Sequence, residues 1–196
     1  MIASVVLAAG ASRRMGSPKA LLEFRGETFL DRLIRITGAV CDPVIVVLGH
    51  HAAEIRAGVR SKARFVINPE PEHGQLSSLQ TGLAALPPEA EGFAFMPMDC
   101  PAVREDTLAR LAETFASREA TTLLVIPRVG GDKRGHPVFA TRRIAEELMA
   151  LPLTGAARDV IHAHVGETQY VDVEDAGILT DIDDPEAYRR LLEMHS

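Results

Sequence analysis

Six short runs rich in β-branched residues alternate with longer amphipathic stretches, and this rhythm narrows the fold more than any other property of the chain. The runs are IASVVLA (2–8), PVIVVL (43–48), RFVI (64–67), GFAFM (92–96), TLLVI (122–126) and TQYVD (168–172). Runs that are apolar at nearly every position read as strands buried on both faces, the signature of a parallel sheet. The intervening stretches, near 28–39, 51–60, 76–86, 104–117, 141–150, 156–165 and 185–193, read as helices. Thr28 with Asp31 resembles a capping pair at one helix start, and Gly130-Gly131 reads as a turn between two short strands. Strands joined through helices require right-handed crossovers. The expected architecture is therefore α/β: a single doubly wound, mostly parallel sheet with helices on both faces, spanning 1–196 as one domain. Ligands of such a sheet bind beyond the carboxyl ends of the strands.

Charge and composition exclude several partners. The formal net charge of −6 over 196 residues argues against nucleic acid or an anionic membrane, since either wants a basic face. Two cysteines, Cys41 and Cys100, are too few for a disulfide framework and suit a reducing compartment. Neither they nor the seven histidines (His50, His51, His73, His136, His162, His164, His195) show zinc-ligand spacing. The apolar start IASVVLAAGA is followed, not preceded, by its positive charges, unlike a signal peptide. No run approaches the roughly 18 apolar residues of a membrane span, so a cytoplasmic protein is expected.

Against this acidic background, residues 5–22 (VVLAAGASRRMGSPKALL) stand out. No acid precedes Glu23, so Arg13, Arg14 and Lys19 give a local charge of +3. Five residues separate Gly10 from Gly16, one more than a Walker loop has, and Ser12 stands where a dinucleotide fingerprint needs its second glycine. The loop is either an anion cradle of backbone N–H groups and cationic side chains or a solvated turn. Pro18 disfavours helix at Ser17, which suggests that Lys19 leaves the loop on an extended backbone.

Three further stretches fall just after strand ends. In FAFMPMDCPAV, Asp99 is either a ligand for Mg²⁺ or a turn aspartate beside proline, and Cys100 reads as a small buried apolar residue. In NPEPEHGQLSSLQTGL, Asn68, Gly74, Ser77 and Ser78 either read a flat ligand such as a nucleobase or cap a helix. Residues 172–186 carry seven Asp or Glu, among which Asp181 and Asp183 share one side of an extended segment; a metal pair and a solvated acidic loop are both open readings. His136 in GHPVF and Arg158 in TGAARDV are candidate substrate contacts, the latter equally a surface ion pair.

With these residues placed, LAAGASRRMGSPK resembles the signature of nucleotidyltransferases of the molybdenum cofactor type, within the larger superfamily that activates sugar phosphates. The resemblance runs through NPEPEHGQLSSLQTGL, MDCP, GHPVF, TGAARDV and DIDDPEAY, and so spans essentially the whole chain. It implies a Rossmann-like nucleotidyltransferase fold in which Gly10, Arg14 and Lys19 handle the triphosphate. Leu7, Ala8, Ala9 and Arg13 would complete the nucleotide loop, Asn68, Gly74, Ser77 and Ser78 would help hold the nucleotide, and His136 and Arg158 would meet the acceptor. Asp99 and Asp183 would hold Mg²⁺. LAAG is similar to the version associated with pyrimidine nucleotides, where guanylyltransferases usually read LAGG, so Ala9 points to CTP. GHPVF and GAARDV likewise resemble molybdopterin cytidylyltransferases. The chain departs from the pattern at Pro71, where tryptophan is common, and at Asp184, where threonine is usual.

The implied reaction transfers CMP from CTP to the phosphate of a molybdopterin-type acceptor, with a recipient molybdoenzyme or its chaperone as a further partner. Because a phosphate nucleophile is already charged, it needs alignment and charge neutralisation, not an activating side chain. Three rivals stand beside it: another nucleotide or a sugar-phosphate acceptor, a non-catalytic nucleotide-binding accessory protein, and, weakest, an NAD enzyme.

Overall fold

The computed structural model describes residues 1–194; His195 and the end of the expected 1–196 domain lie outside the described residues. In chain order the strands and helices are β1 (Ile2–Ala8), β2 (Glu23–Phe24), β3 (Glu27–Thr28), α1 (Phe29–Gly38), β4 (Val44–Leu48), α2 (Ala52–Gly58), β5 (Arg64–Ile67), α3 (Gln75–Leu83), β6 (Gly92–Pro97), α4 (Glu105–Ala116), β7 (Leu124–Val129), β8 (Lys133–Arg134), β9 (Val138–Thr141), α5 (Arg142–Ala150), α6 (Ala157–Ala163), β10 (Thr168–Asp172) and α7 (Pro185–Glu193). The main sheet has the order β10-β7-β9-β6-β1-β4-β5, with β8 paired to β7. Strands β5, β4, β1 and β6 are parallel neighbours, as are β7 and β10. Strand β9 runs antiparallel between β6 and β7.

Alternation along β1 explains why its sequence is apolar at every position but Ser4. Val6 and Ala8 face one layer, with Phe29 and Leu33 of α1, Leu108 and Phe115 of α4 and Leu191 of α7. Val5 and Leu7 face the other, with Leu79 and Leu83 of α3, Ile144 and Leu148 of α5 and Val160 of α6. Each fully buried side chain of this kind stabilises the fold by about 1.5–3 kcal/mol, and a strand central to two layers needs them at every position. The capping pair is present: Thr28 Oγ1 accepts from the Asp31 N–H at 3.0 Å, and the Asp31 carboxylate in turn accepts from the N–H groups of Arg60 and Ser61.

Two expectations need correction. The run at 122–126 begins its strand two residues later and extends to Val129, with Gly130 and Gly131 (φ +61° and +92°) turning it into β8. Strand β9 was not anticipated, because four residues between a Gly-His-Pro turn and a helix carry too short a pattern to show a period. Among the described residues no helix is long and apolar enough to cross a membrane.

The chain leaves β1 towards β4 and β5, then returns past β1 to place β6 on its other side. The carboxyl ends of β1 and β6 are therefore adjacent at the point where the winding direction reverses, the place where doubly wound sheets bind ligands.

Candidate active site

A cavity of about 430 Å³ opens at that reversal point. The end of β1 and the loop after it supply Leu7 to Arg14 with Lys19 and Ala20, the segment before α3 supplies Pro71 and Gly74, and the start of α3 supplies Gln75 and Ser78. Ile55, Pro97, Met98, Asp99 and Asp183 close the lining. The volume lies in the range of small-molecule sites.

The loop is held by Ser12, which sequence reasoning passed over. Ser12 adopts φ +49°, its carbonyl accepts from the Met15 N–H, and its hydroxyl accepts from the Lys19 N–H at 3.0 Å. Gly16 turns the chain at φ +70°. A methyl at Gly10 would meet no protein atom within 4 Å, so the bare backbone there faces open cavity. Lys19 does not leave the loop extended: it opens a single 3₁₀ turn, Lys19–Leu21. Proline restricts the residue before it, and Lys19 follows Pro18, so only Ser17 feels the restraint.

The acidic partners come from two distant segments. The Ile182 N–H donates to the Asp99 carbonyl at 3.0 Å, and the Ile182 side chain is buried in the core. Its neighbours Asp181 and Asp183 thus flank Asp99, and one carboxylate oxygen from each of the three lies within 4.8 Å of the others. Register is set upstream. The buried Asp175 carboxylate accepts from the Arg104 N–H, the Thr107 hydroxyl and the Gly177 N–H. Gly177 and Gly135 leave no room for a methyl, which would approach the carbonyl oxygens of Ala102 and Ile178 to 2.4 and 2.1 Å.

Cations and carboxylates meet at Asp183. Lys19 Nζ donates to its Oδ1 at 2.5 Å and Arg14 Nη2 to its Oδ2 at 2.9 Å. The Lys19 hydrogen bond, with the Lys19 and Arg14 charges, holds the Asp183 carboxyl below its ordinary range. Asp181 is exposed as a residue, yet its carboxyl faces the cluster. Loss of water there, followed by the like charges of Asp99 and Asp183, pushes it up to about 6, with Lys19 opposing. Three carboxylates this close together form one set of oxygen donors. Hard oxygen donors of this kind suit Mg²⁺ or Mn²⁺. Burial raises the Cys100 thiol well above its ordinary value, as expected for an inert packing residue.

Other sequence candidates fall behind or away from the cavity. Asn68 is buried, its amide donating to Ser77 Oγ at 2.8 Å and Ser78 Oγ at 3.0 Å while its carbonyl accepts from the Glu70 N–H. Asn68 and Ser77 therefore shape the turn into α3 and do not line the cavity, whereas Gly74 and Ser78 do. Helix α3 begins without a side-chain cap, so its positive end and free N–H groups open beside Gln75, a lining residue no motif had marked. His136 does not line the cavity either. Its ring lies edge-on to Phe95, Nδ1 is buried without a partner, and burial lowers it to about 4. Arg158, on α6, is 81% exposed, pairs at 3.9 Å with Asp159 and does not line the cavity. Ala9 and Pro71 form one wall, both pressed against Gly49, where a methyl would meet the Ala9 oxygen and the Pro71 Cβ at 2.8 Å.

Comparison with known proteins bears on this geometry. The profile of the family described as the MobA-like NTP transferase domain matches residues 4–168. A probable molybdenum cofactor guanylyltransferase of Bacillus cereus (strain G9842) is 30% identical over 156 residues, covering 76% of this chain and 72% of that protein. The crystal structure of Rv0371c from Mycobacterium tuberculosis H37Rv superimposes with a TM-score of 0.85 at 31% identity, covering 98% of this chain and 97% of that one. A structure of Rv0371c complexed with manganese gives 0.77 at 30% identity, covering 98% of both chains.

Proposed function

The chain belongs to the MobA-like NTP transferase family and is a nucleotidyltransferase, and from that premise we propose that it transfers CMP from CTP to the phosphate of a molybdopterin-type acceptor. One observation carries the nucleotide reading: a cationic loop and the carboxylates of Asp99 and Asp183, far apart in the chain, converge on one cavity at the sheet's reversal point.

In the proposed reaction an acceptor phosphate oxygen bonds to the α-phosphorus of CTP while the bond to the bridging α–β oxygen breaks, releasing pyrophosphate. Lys19 and Arg14 stabilise charge accumulating on the leaving group, supplemented by N–H groups of the loop and of the α3 terminus. The cation would be held by Asp99 and Asp183, with Asp181 beside them, and would draw charge from the reacting phosphates when bound. The complex of Rv0371c with manganese supports a part for a divalent ion, and Mg²⁺ is the ion proposed here. No nucleophilic side chain is required, in keeping with the raised thiol of Cys100. Asn68 and Ser77 act by shaping the turn that presents Ser78, and His136 and Arg158 remain proposed acceptor-side residues.

Base choice rests on Ala9. Ala9 and Pro71 line the cavity side by side against Gly49, and the Ala9 methyl takes space that the glycine usual in LAGG would leave open, which favours cytosine over guanine. The guanylyltransferase relatives favour GTP as the second reading. Thermal unfolding with CTP, GTP, UTP and ATP, each with and without Mg²⁺, separates the two. A ligand at 100 times its Kd stabilises the native state by about 2.7 kcal/mol. The largest shift is expected with CTP and Mg²⁺, followed by CTP-dependent pyrophosphate release with molybdopterin. A larger shift with GTP would overturn the base assignment and keep the reaction class; no shift with any triphosphate would overturn both.

A further inference from the structure

The two loop cations best placed for a triphosphate are already engaged. Lys19 and Arg14 lie 164 and 169 residues from Asp183 in the chain, and both donate to its carboxylate, one to each oxygen. The Lys19 side chain is only 15% exposed, so this ion pair is shielded better than an ordinary surface one. A triphosphate arriving alone must take both cations from Asp183. That leaves an unpaired carboxylate beside Asp99 and Asp181, facing several new phosphate charges. Like charges at such spacing oppose one another strongly where water is partly excluded. A divalent cation removes the conflict, because Asp183 gains a new partner as it releases the old ones.

Resting on the nucleotidyltransferase reading above, we propose that Asp183 is a counter-ion latch: it neutralises Lys19 and Arg14 in the nucleotide-free protein and couples their release to arrival of the divalent cation. The site then takes triphosphate and cation cooperatively and discriminates against the metal-free nucleotide. The coupling is reciprocal, so triphosphate tightens cation binding by the same factor.

Calorimetric titration of the intact chain tests this, with CTP and GTP each measured in EDTA and in MgCl₂. Asp183→Asn is expected to bind metal-free triphosphate about tenfold more tightly than wild type and to lose most of the gain from Mg²⁺. Asp99→Asn removes the same charge but neither ion pair, and a much smaller gain is expected from it. Equal gains in the two variants would assign the effect to overall charge and overturn the latch, as would no gain in Asp183→Asn. A second measurement needs no nucleotide: acylation of Lys19, followed by peptide mass spectrometry, is expected to be several-fold faster in Asp183→Asn, and an unchanged rate would overturn the proposal. If wild type binds neither nucleotide with Mg²⁺, the site reading falls and the latch with it. If Mg²⁺-nucleotide binds wild type normally while metal-free affinity ignores Asp183, only the latch falls.

Discussion

Lys19 is joined to the rest of the site twice, through its N–H to the Ser12 hydroxyl and through its ammonium to Asp183. Truncation to alanine removes the second link and leaves the first, so the loop keeps its path while losing its innermost charge. Removal of one donor to a transition-state anion typically lowers turnover by about 10²–10³. Lys19→Ala is therefore expected to lose about that factor in pyrophosphate release, with its thermal unfolding close to wild type. Near-normal turnover would sink the assignment. Lys19 could be singled out from sequence because charge is a composition-level property. Ser12 could not, because its role depends on a left-handed backbone and on one hydrogen bond across seven positions.

Among the elements, the stretch from Asp175 to Asp183 shows how backbone packing positions charge. The single 3₁₀ turn Ala176–Leu179 is wedged against Ala102 on one side and Gly135 on the other, with room for neither glycine to gain a methyl. Gly177→Ala must push the turn outward, and overpacking of this kind costs about 1–3 kcal/mol, a Tm loss of several degrees in a chain of this size. The displaced turn carries Asp181 and Asp183 away from Asp99, so weaker Mn²⁺ binding by calorimetry is expected along with the Tm loss. Gly166→Ala serves as control, since a methyl there meets nothing within 4 Å. A Gly177→Ala protein with unchanged Mn²⁺ affinity would detach the turn from the site. Helices such as α1 and α4 were legible because apolar residues recur on one face at regular spacing. This turn was not, since its sequence reads as a solvated acidic loop.

At the scale of the molecule, pH acts through a histidine far from the chemistry. The ring of His164 lies between Glu167 at Nδ1 (2.5 Å) and Glu147 of α5 at Nε2 (2.6 Å), and Arg143 pairs with both glutamates. Both ring nitrogens can donate only in the imidazolium, so the Glu167 bond, then the Glu147 bond, raise His164 above its ordinary 6.5. Stability from this clamp is complete below about 6.5 and fades as pH rises through the raised folded-state value. Glu147, lowered chiefly by the same bond, adds stability above its ordinary 4.5 that is lost on acidification. With half-exposed glutamates screened by solvent, the clamp is worth roughly 1 kcal/mol, or about 2–4 °C in Tm. Wild type is expected to exceed His164→Gln by that margin at pH 6 and to lose the advantage as pH rises through the raised folded-state value; a gap independent of pH would refute the clamp.

What the amino-acid sequence determined alone was the alternation of strand and helix, the burial of β1 on both faces, the cationic loop and the acidic character of the last segment. All of these are local properties, set by residue type and by periods of 2 or 3.6 that a few consecutive residues reveal. Only the tertiary structure decided that β9 runs against its neighbours and that Asn68 turns inward to Ser77 and Ser78. It alone joined Asp181 and Asp183 to Asp99 through the Ile182 N–H and brought Lys19 onto Asp183. Those pairings join residues from 9 to 164 positions apart. No local period encodes them, and they follow from which surfaces must be buried together.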